Sequence, residues 1–251
     1  MALLDLFRKK DSSNTGELFS FRTDIHSHIL PGVDDGAPDV KTTVTLVRGL
    51  YDLGFRKCIA TPHIIGDLYR NTPETIAAAL AKAQAAVAVA GIPMEISAAA
   101  EYMLDDHFMQ LLNTGTPLLT LHKNILLTEF SYSIAPANIE ELAFNILTNG
   151  YLPVLAHPER YPYFHQRMED YNRLDELGFR LQVNLLSLTG YYGKAPAKAA
   201  AYILNEGLAS LVGTDMHHQR HLDALKHPEH RAIFQRYLGH RKFNELDDIL
   251  D

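Results

Sequence analysis

The sequence predicts an α/β fold, a TIM-like barrel in which seven strands alternate with helices, (β/α)7, within one domain. Three features of the chain point there. A beat of short apolar run, polar motif and helix-like stretch repeats from residue 23 onward. Glycine follows five of the helical stretches, at Gly54, Gly91, Gly150, Gly178 and Gly207, where a helix commonly ends in a left-handed residue. The 251 residues are 47% hydrophobic and 21% charged, with no Pro/Gly/Ser-rich break in the middle, which suits one globular body and excludes a disordered chain.

In chain order, residues 1–20 read as a short helix carrying Leu3, Leu4, Leu6 and Phe7, followed by the polar linker KKDSSNTGELF. Residues 21–251 form the body. Its strands are expected at 23–28, 57–61, 94–101, 125–130, 153–157, 180–186 and 210–215, each a short apolar run. Helices are expected at 40–53, 72–90 (very Ala-rich), 105–113, 137–149, 166–177 and 196–205, and a helical pattern at 231–250 closes the chain. Strands separated by helices must pair in parallel.

The net charge of −7 argues against general nucleic-acid or anionic-membrane binding, which needs clustered Lys and Arg. No run approaches the roughly 18 apolar residues of a membrane helix. The start MALLDLFRKK places its basic residues after the apolar run, opposite to a secretory signal, and a lone Cys58 forms no internal disulfide. A cytoplasmic protein is expected. Thirteen histidines beside one cysteine point to metal chemistry through nitrogen and oxygen.

In a β/α barrel, reactive groups gather where strands end. Six of the seven expected strands carry a hard ligand there: His26 and His28 (with Asp34 and Asp35 in the next loop), His63, Glu101, Glu129, His157, then Asp215 with His217. The sixth strand, QVNLLS, has none. His26 and His28, two apart, share a strand face, and Asp215 with His217 repeat that spacing. Four carboxylates at one mouth would repel each other and be costly to desolvate without cations, so a polynuclear metal centre is expected. Mixed His and carboxylate donors without Cys suit Mn, Fe or Zn better than Mg or Ca alone.

The segment DIHSHILPGVDDGA (24–37) resembles the PHP (polymerase and histidinol phosphatase) superfamily. Within it the chain is most similar to the bacterial manganese-dependent protein-tyrosine phosphatases encoded with capsule and exopolysaccharide genes. ATPH (60–63), AAAEY (98–102), LLTEFS (126–131), LAHPERY (155–161) and GTDMH (213–217) follow in order, and the resemblance covers roughly 22–239. It implies a distorted (β/α)7 TIM-like barrel, the PHP fold, with three divalent metal ions, most suitably Mn. The first site would be His26, His28, Glu101 and Asp215; the second Glu101 as a bridge, Glu129 and His157; the third Asp35, His63 and His217, with Asp34 able to exchange roles with Asp35. Arg160 matches a phosphate-contacting arginine, and Arg220 is the nearest candidate for a second, at a shorter offset. The stretch IIGDLYRNT after TPH departs from the common family wording by lacking a second histidine.

The resemblance further implies a protein-tyrosine phosphatase acting on the tail of an exopolysaccharide-associated tyrosine kinase. Four carboxylates against three divalent ions leave −4 + 6 = +2, a match for a phosphate-monoester dianion. A metal-activated hydroxide would attack without a phosphoenzyme, and Arg160 would grip phosphate oxygens through its planar fork. The cysteine route, with an arginine six positions after the nucleophile, is excluded: position 64 is Ile64, and Cys58 lies in the apolar run KCIA. Tyr69, Tyr161, Tyr163, Tyr191 and Tyr192 either border an aryl ring or pack between loops. His218, His221, His227 and His230 read as a solvated or supporting loop. Two other functions fit the same residues: hydrolysis of a small phosphate ester such as histidinol phosphate or a nucleotide, and a non-catalytic metal-binding partner of a capsule kinase.

Overall fold

Every strand pairing is parallel in the computed structural model, which describes residues 18–239 and 241–250; the expected first helix and most of its linker lie outside the described residues. The order is β1 (Thr23–Asp24), α1 (Val40–Asp52), β2 (Lys57–Ala60), β3 (His63–Ile64), α2 (Pro73–Val89), β4 (Glu95–Ala98), β5 (Glu101–Met103), α3 (Asp106–Asn113), β6 (Ile125–Glu129) and α4 (Ile139–Thr148). Then come β7 (Leu152–Ala156), α5 (Asp170–Glu176), β8 (Arg180–Asn184), α6 (Lys194–Asn205), β9 (Ala209–Gly213), α7 (Gln219–Lys226) and α8 (His230–Leu238).

The strands form two sheets, β1-β2-β4 and β3-β5-β6-β7-β8-β9. Two breaks depart from the expected strands: a separate short β3 follows the strand expected at 57–61, and 94–101 divides at Ala99–Ala100. Pro62 stands at the first break and has no N–H to give a ladder. Single bonds cross these breaks, from Ala99 N–H to Ala60 O (2.8 Å) and from Glu101 N–H to Pro62 O (3.2 Å). Beyond the ends of β1 and β9, Asp215 N–H donates to His26 O (2.8 Å) and His28 N–H to Met216 O (2.9 Å).

Alternation along the strands sorts their side chains. Cys58, Ala60, Leu126, Leu155, Leu181, Val183 and Val212 join the large core that includes Leu46, Val47 and Leu50 of α1. The opposite faces give a second apolar cluster, with Ile25, Ile59, Ala99, Ile125, Leu127, Val154, Ala156 and Leu211. Following that second face along each strand leads from the apolar cluster to polar residues: Ile125 and Leu127 to Glu129, and Leu211 to Gly213 and Asp215. The site therefore sits on top of an apolar floor.

Two local expectations are corrected. The histidine-rich stretch is not a loop: His218 caps α7, and His221 is buried on that helix. The helical pattern at 231–250 stops at Leu238, where Gly239 caps α8, and the segment beyond runs back to the strands, which it reaches through left-handed Asn244 (φ 64°). Its side-chain oxygen accepts from Val212 N–H (2.9 Å), and its amide donates to Thr23 O (2.8 Å) and Val212 O (3.0 Å). A tertiary demand for hydrogen bonds overrides helical periodicity there. Among the described residues, no helix is long and apolar enough to cross a membrane.

Candidate metal centre

All nine expected donors converge at one end of the strands. They fall into four overlapping groups: His28, Asp35, His63 and His217; His26, His28 and Glu101; His26, His157 and Asp215; His63, Glu101 and Glu129. Glu101 is central, with Oε2 at 3.2 Å from His26 Nε2, 3.3 Å from His28 Nε2 and 3.2 Å from His63 Nδ1, and Oε1 at 3.0 Å from His157 Nε2. Asp215 Oδ1 lies 3.4 Å from His26 Nε2 and 3.5 Å from His28 Nε2. His157 thus touches Glu101 as expected but groups with His26 and Asp215, while Glu129 groups with His63 (2.9 Å).

The chemistry of these contacts fits cations. Acceptors hold the far nitrogen of three rings: His26 Nδ1 faces Gln182 Oε1 (2.7 Å), His28 Nδ1 faces Asp34 Oδ2 (2.7 Å), and His217 Nδ1 faces Asp215 O (2.8 Å). A neutral ring that donates from Nδ1 presents a bare lone pair at Nε2, the arrangement of a metal-binding histidine. Yet His26 Nε2 and His28 Nε2 lie 3.2 Å apart, both facing carboxylates. His63 Nδ1 and Glu129 Oε1, close as they are, are buried without a hydrogen-bond partner. Donor atoms crowded in this way form a site that could hold a shared positive charge.

The electrostatics agree. Burial pulls the His26 ring down, but Glu101 and Asp215 overcome it and push it up to about 10. Burial lowers His157 to about 4, with Arg160 adding to the effect, so that ring stays neutral. Burial opposes ionisation of Glu101, yet His26 and His63 hold it well below the usual carboxylate range.

The loop after β1 separates the two aspartates. Asp34 stands behind His28 and also accepts from Gly36 N–H (3.0 Å). Asp35 is 53% exposed and faces His63 Nε2 (3.6 Å) and His217 Nε2 (3.5 Å), which marks the open side of the cluster. Gly36 is required, since a Cβ there would lie 1.9 Å from His28 O. His157 (φ 37°) and Asp215 (φ 50°) take left-handed backbone just past β7 and β9, a strain of roughly 1–3 kcal/mol each that concentrates at functional sites.

Arg160, in the turn after His157, donates from Nη1 to Asp215 Oδ2 (2.5 Å). Its guanidinium lies over the rings of Tyr132 (5.1 Å) and Tyr192 (4.2 Å).

Residues 22–246 match the protein family described as capsular polysaccharide synthesis, CpsB/CapC. The chain belongs to that family. It is 30% identical over 194 residues to tyrosine-protein phosphatase YwqE of Bacillus subtilis (strain 168), covering 77% of this chain and 76% of that one. It is 28% identical over 229 residues to tyrosine-protein phosphatase CpsB of Streptococcus pneumoniae, covering 89% and 93%. A solved chain from crystal structures of YwqE and CpsB, described as unique metal-dependent tyrosine phosphatases, superposes with a TM-score of 0.73. It shares 26% identity over 88% of this chain and 96% of that one.

The CpsB/CapC match encloses all nine donors and Arg160. Around them the structure sorts the remaining candidates. Arg220 is exposed in the first turn of α7 and makes no hydrogen bond or ion pair among the described residues. Tyr161 is fully buried and cannot border a substrate, whereas Tyr191 is 40% exposed and Tyr69 stacks on His63 at 5.6 Å. His221 accepts from His217 N–H at Nδ1 (3.3 Å), a supporting contact. Sequence reasoning missed Tyr132, 38% exposed, whose hydroxyl lies 3.2 Å from His157 Nδ1. Its only sequence signal is its place just after Glu129.

Proposed function

We propose that this chain is a metal-dependent protein-tyrosine phosphatase acting in capsule or exopolysaccharide synthesis, with the cytoplasmic tail of an exopolysaccharide-associated tyrosine kinase as substrate. The observation that carries the reading is the convergence of nine nitrogen and oxygen donors beside Arg160, in a chain whose relatives bear the name tyrosine-protein phosphatase. Three divalent ions, Mn in preference to Fe or Zn, are assigned to the nine: His26, His28, Glu101 and Asp215; Glu101, Glu129 and His157; Asp35, His63 and His217. The frame is a distorted seven-position barrel. Its support is the bonding of Asp215 and Met216 to His26 and His28, and an apolar cluster shared by β2, β6, β7, β9 and Ile25 just past β1.

Cations held there would supply Lewis acidity and neutralise the dianion of a phosphate monoester. The chain's own residues do the rest. Asp35, His63 and His217 form the open side, so the phosphate enters past them. Arg160, stacked between Tyr132 and Tyr192, keeps its remaining N–H donors for the phosphate oxygens, a planar fork that lysine lacks. Arg220 on α7 is assigned the outer approach of the substrate. Partly exposed Tyr132, Tyr191 and Tyr192 flank that approach and suit an aryl group. A phenolate leaves readily, so little demand falls on a separate acid. Cys58 takes no part: it is fully buried, and burial pushes its thiol well above the ordinary value.

The test compares kcat/KM for a phosphotyrosine peptide with phosphoserine peptide, histidinol phosphate and nucleotides. The phosphotyrosine peptide is expected to lead. A tenfold lead for histidinol phosphate, about 1.4 kcal/mol of transition-state preference, would instead identify a small-ester phosphatase.

A further inference from the structure

Strand β8 supplies none of the nine donors, yet its inward residues are two buried amides. Leu181 and Val183 point to the large apolar core, so Gln182 and Asn184 share the other face, two positions apart. Each reaches a different candidate ligand. We propose that β8 positions the metal ligands: Gln182 holds His26 by accepting its Nδ1–H, and Asn184 holds Asp215 by donating to Oδ2. This rests on the metal-centre reading above.

The geometry at Asn184 leaves no choice of orientation. Its Oδ1 accepts from Leu186 N–H (2.9 Å), so Nδ2 must face Asp215 Oδ2 (2.9 Å). Its own backbone N–H is pinned by Glu159 Oε1 (2.9 Å), which also accepts from Ser187 Oγ (2.7 Å). With Arg160 on the same oxygen, Asp215 Oδ2 is fully engaged, and Oδ1 is left facing His26 and His28. The amide thus selects which carboxylate oxygen is offered to a cation.

At Gln182, Oε1 lies 2.7 Å from His26 Nδ1, while Nε2 is buried with no hydrogen-bond partner. An apolar side chain would avoid that cost, so the amide is retained for its oxygen. The space is closed around it: a Cβ on Gly213 would lie 2.6 Å from His26 Cβ and 2.9 Å from Gln182 Nε2. An accepting oxygen fixes hydrogen on Nδ1 and leaves Nε2, on the Glu101 side, as the atom available to a cation. A flipped amide would push hydrogen onto Nε2, the atom a cation needs. An amide also achieves this without adding another negative charge near Asp34, Asp35, Glu101, Glu129 and Asp215.

The test uses full-length protein stripped by chelator, with Mn2+ titrated calorimetrically into wild type, Gln182→Met, Gln182→Glu and Asn184→Leu. Gln182→Met and Asn184→Leu should each weaken Mn2+ binding about 10–100-fold, the usual range for outer partners of metal ligands. Metal-free melting temperatures should stay near wild type. Gln182→Glu, ionised, only accepts from Nδ1 and should restore binding; if Gln182→Met does not fold, this variant against wild type carries the test. Wild-type Mn2+ affinity in Gln182→Met and Asn184→Leu overturns the proposal. Binding as weak in Gln182→Glu as in Gln182→Met overturns the accepting role of Gln182. No Mn2+ uptake by wild type overturns the metal-centre reading and this proposal with it.

Discussion

Glu101 and Cys58 show how differently two buried polar residues act within one small region. Both Glu101 oxygens lie against four imidazoles from three separate segments, so its charge is shared by the whole cluster. Glu101→Gln keeps the shape and removes that charge. Metal content and turnover should fall by more than the roughly 10–100-fold typical of an outer partner, as read by elemental analysis beside phosphatase rate. Cys58 instead faces the helices, 3.0 Å from Ser27 Oγ. Cys58→Ser should retain near-wild-type turnover, with stability changed by about 1 kcal/mol; a loss of several orders of magnitude with metal content intact would restore a covalent route. Both residues were legible in the sequence, Glu101 as a carboxylate at the end of an expected strand and Cys58 as part of the apolar run KCIA. Tyr132 was not: it becomes a site residue only because its loop folds back over His157 and Arg160.

Helix ends were read through their glycines, whereas the start of α1 depends on a side-chain cap. Asp39 Oδ1 accepts from Thr42 N–H (2.7 Å) and Thr42 Oγ1 (2.9 Å) ahead of α1, the helix that follows the DDGA turn. The Thr42 N–H holds the Asp39 carboxyl below its ordinary value of 3.8. The unfolded chain therefore binds the proton first as pH falls, and the cap's contribution is complete above that value and lost below it. Asp39→Ala should lower denaturant stability at neutral pH, and the gap from wild type should shrink as pH falls through the lowered carboxyl value. A gap independent of pH would show that the carboxylate is not the cap. Element boundaries were less legible past Leu238, where a helical pattern gives way to a segment whose Asn244 bonds Thr23 and Val212.

Across the whole molecule, cations bound only by the folded state should stabilise it by mass action, about 2.7 kcal/mol at a hundredfold excess over Kd. Exhaustive chelation should lower the melting temperature and abolish phosphatase turnover together, with Mn2+ restoring both; turnover that survives chelation would refute metal-dependent hydrolysis. Alternation of strands and helices, the donor types at strand ends and family membership were determined by the sequence itself, since each is written in residues close along the chain. The tertiary structure alone decided that the strands divide into two sheets, that Asp35 rather than Asp34 faces the open side, and that β8 supports ligands. Those outcomes depend on atoms meeting at 2.7–2.9 Å across 156 residues for His26 with Gln182 and 31 for Asn184 with Asp215. Periodicity assigns a side chain to a face, but only the packed strands bring it within hydrogen-bond reach of one chosen partner.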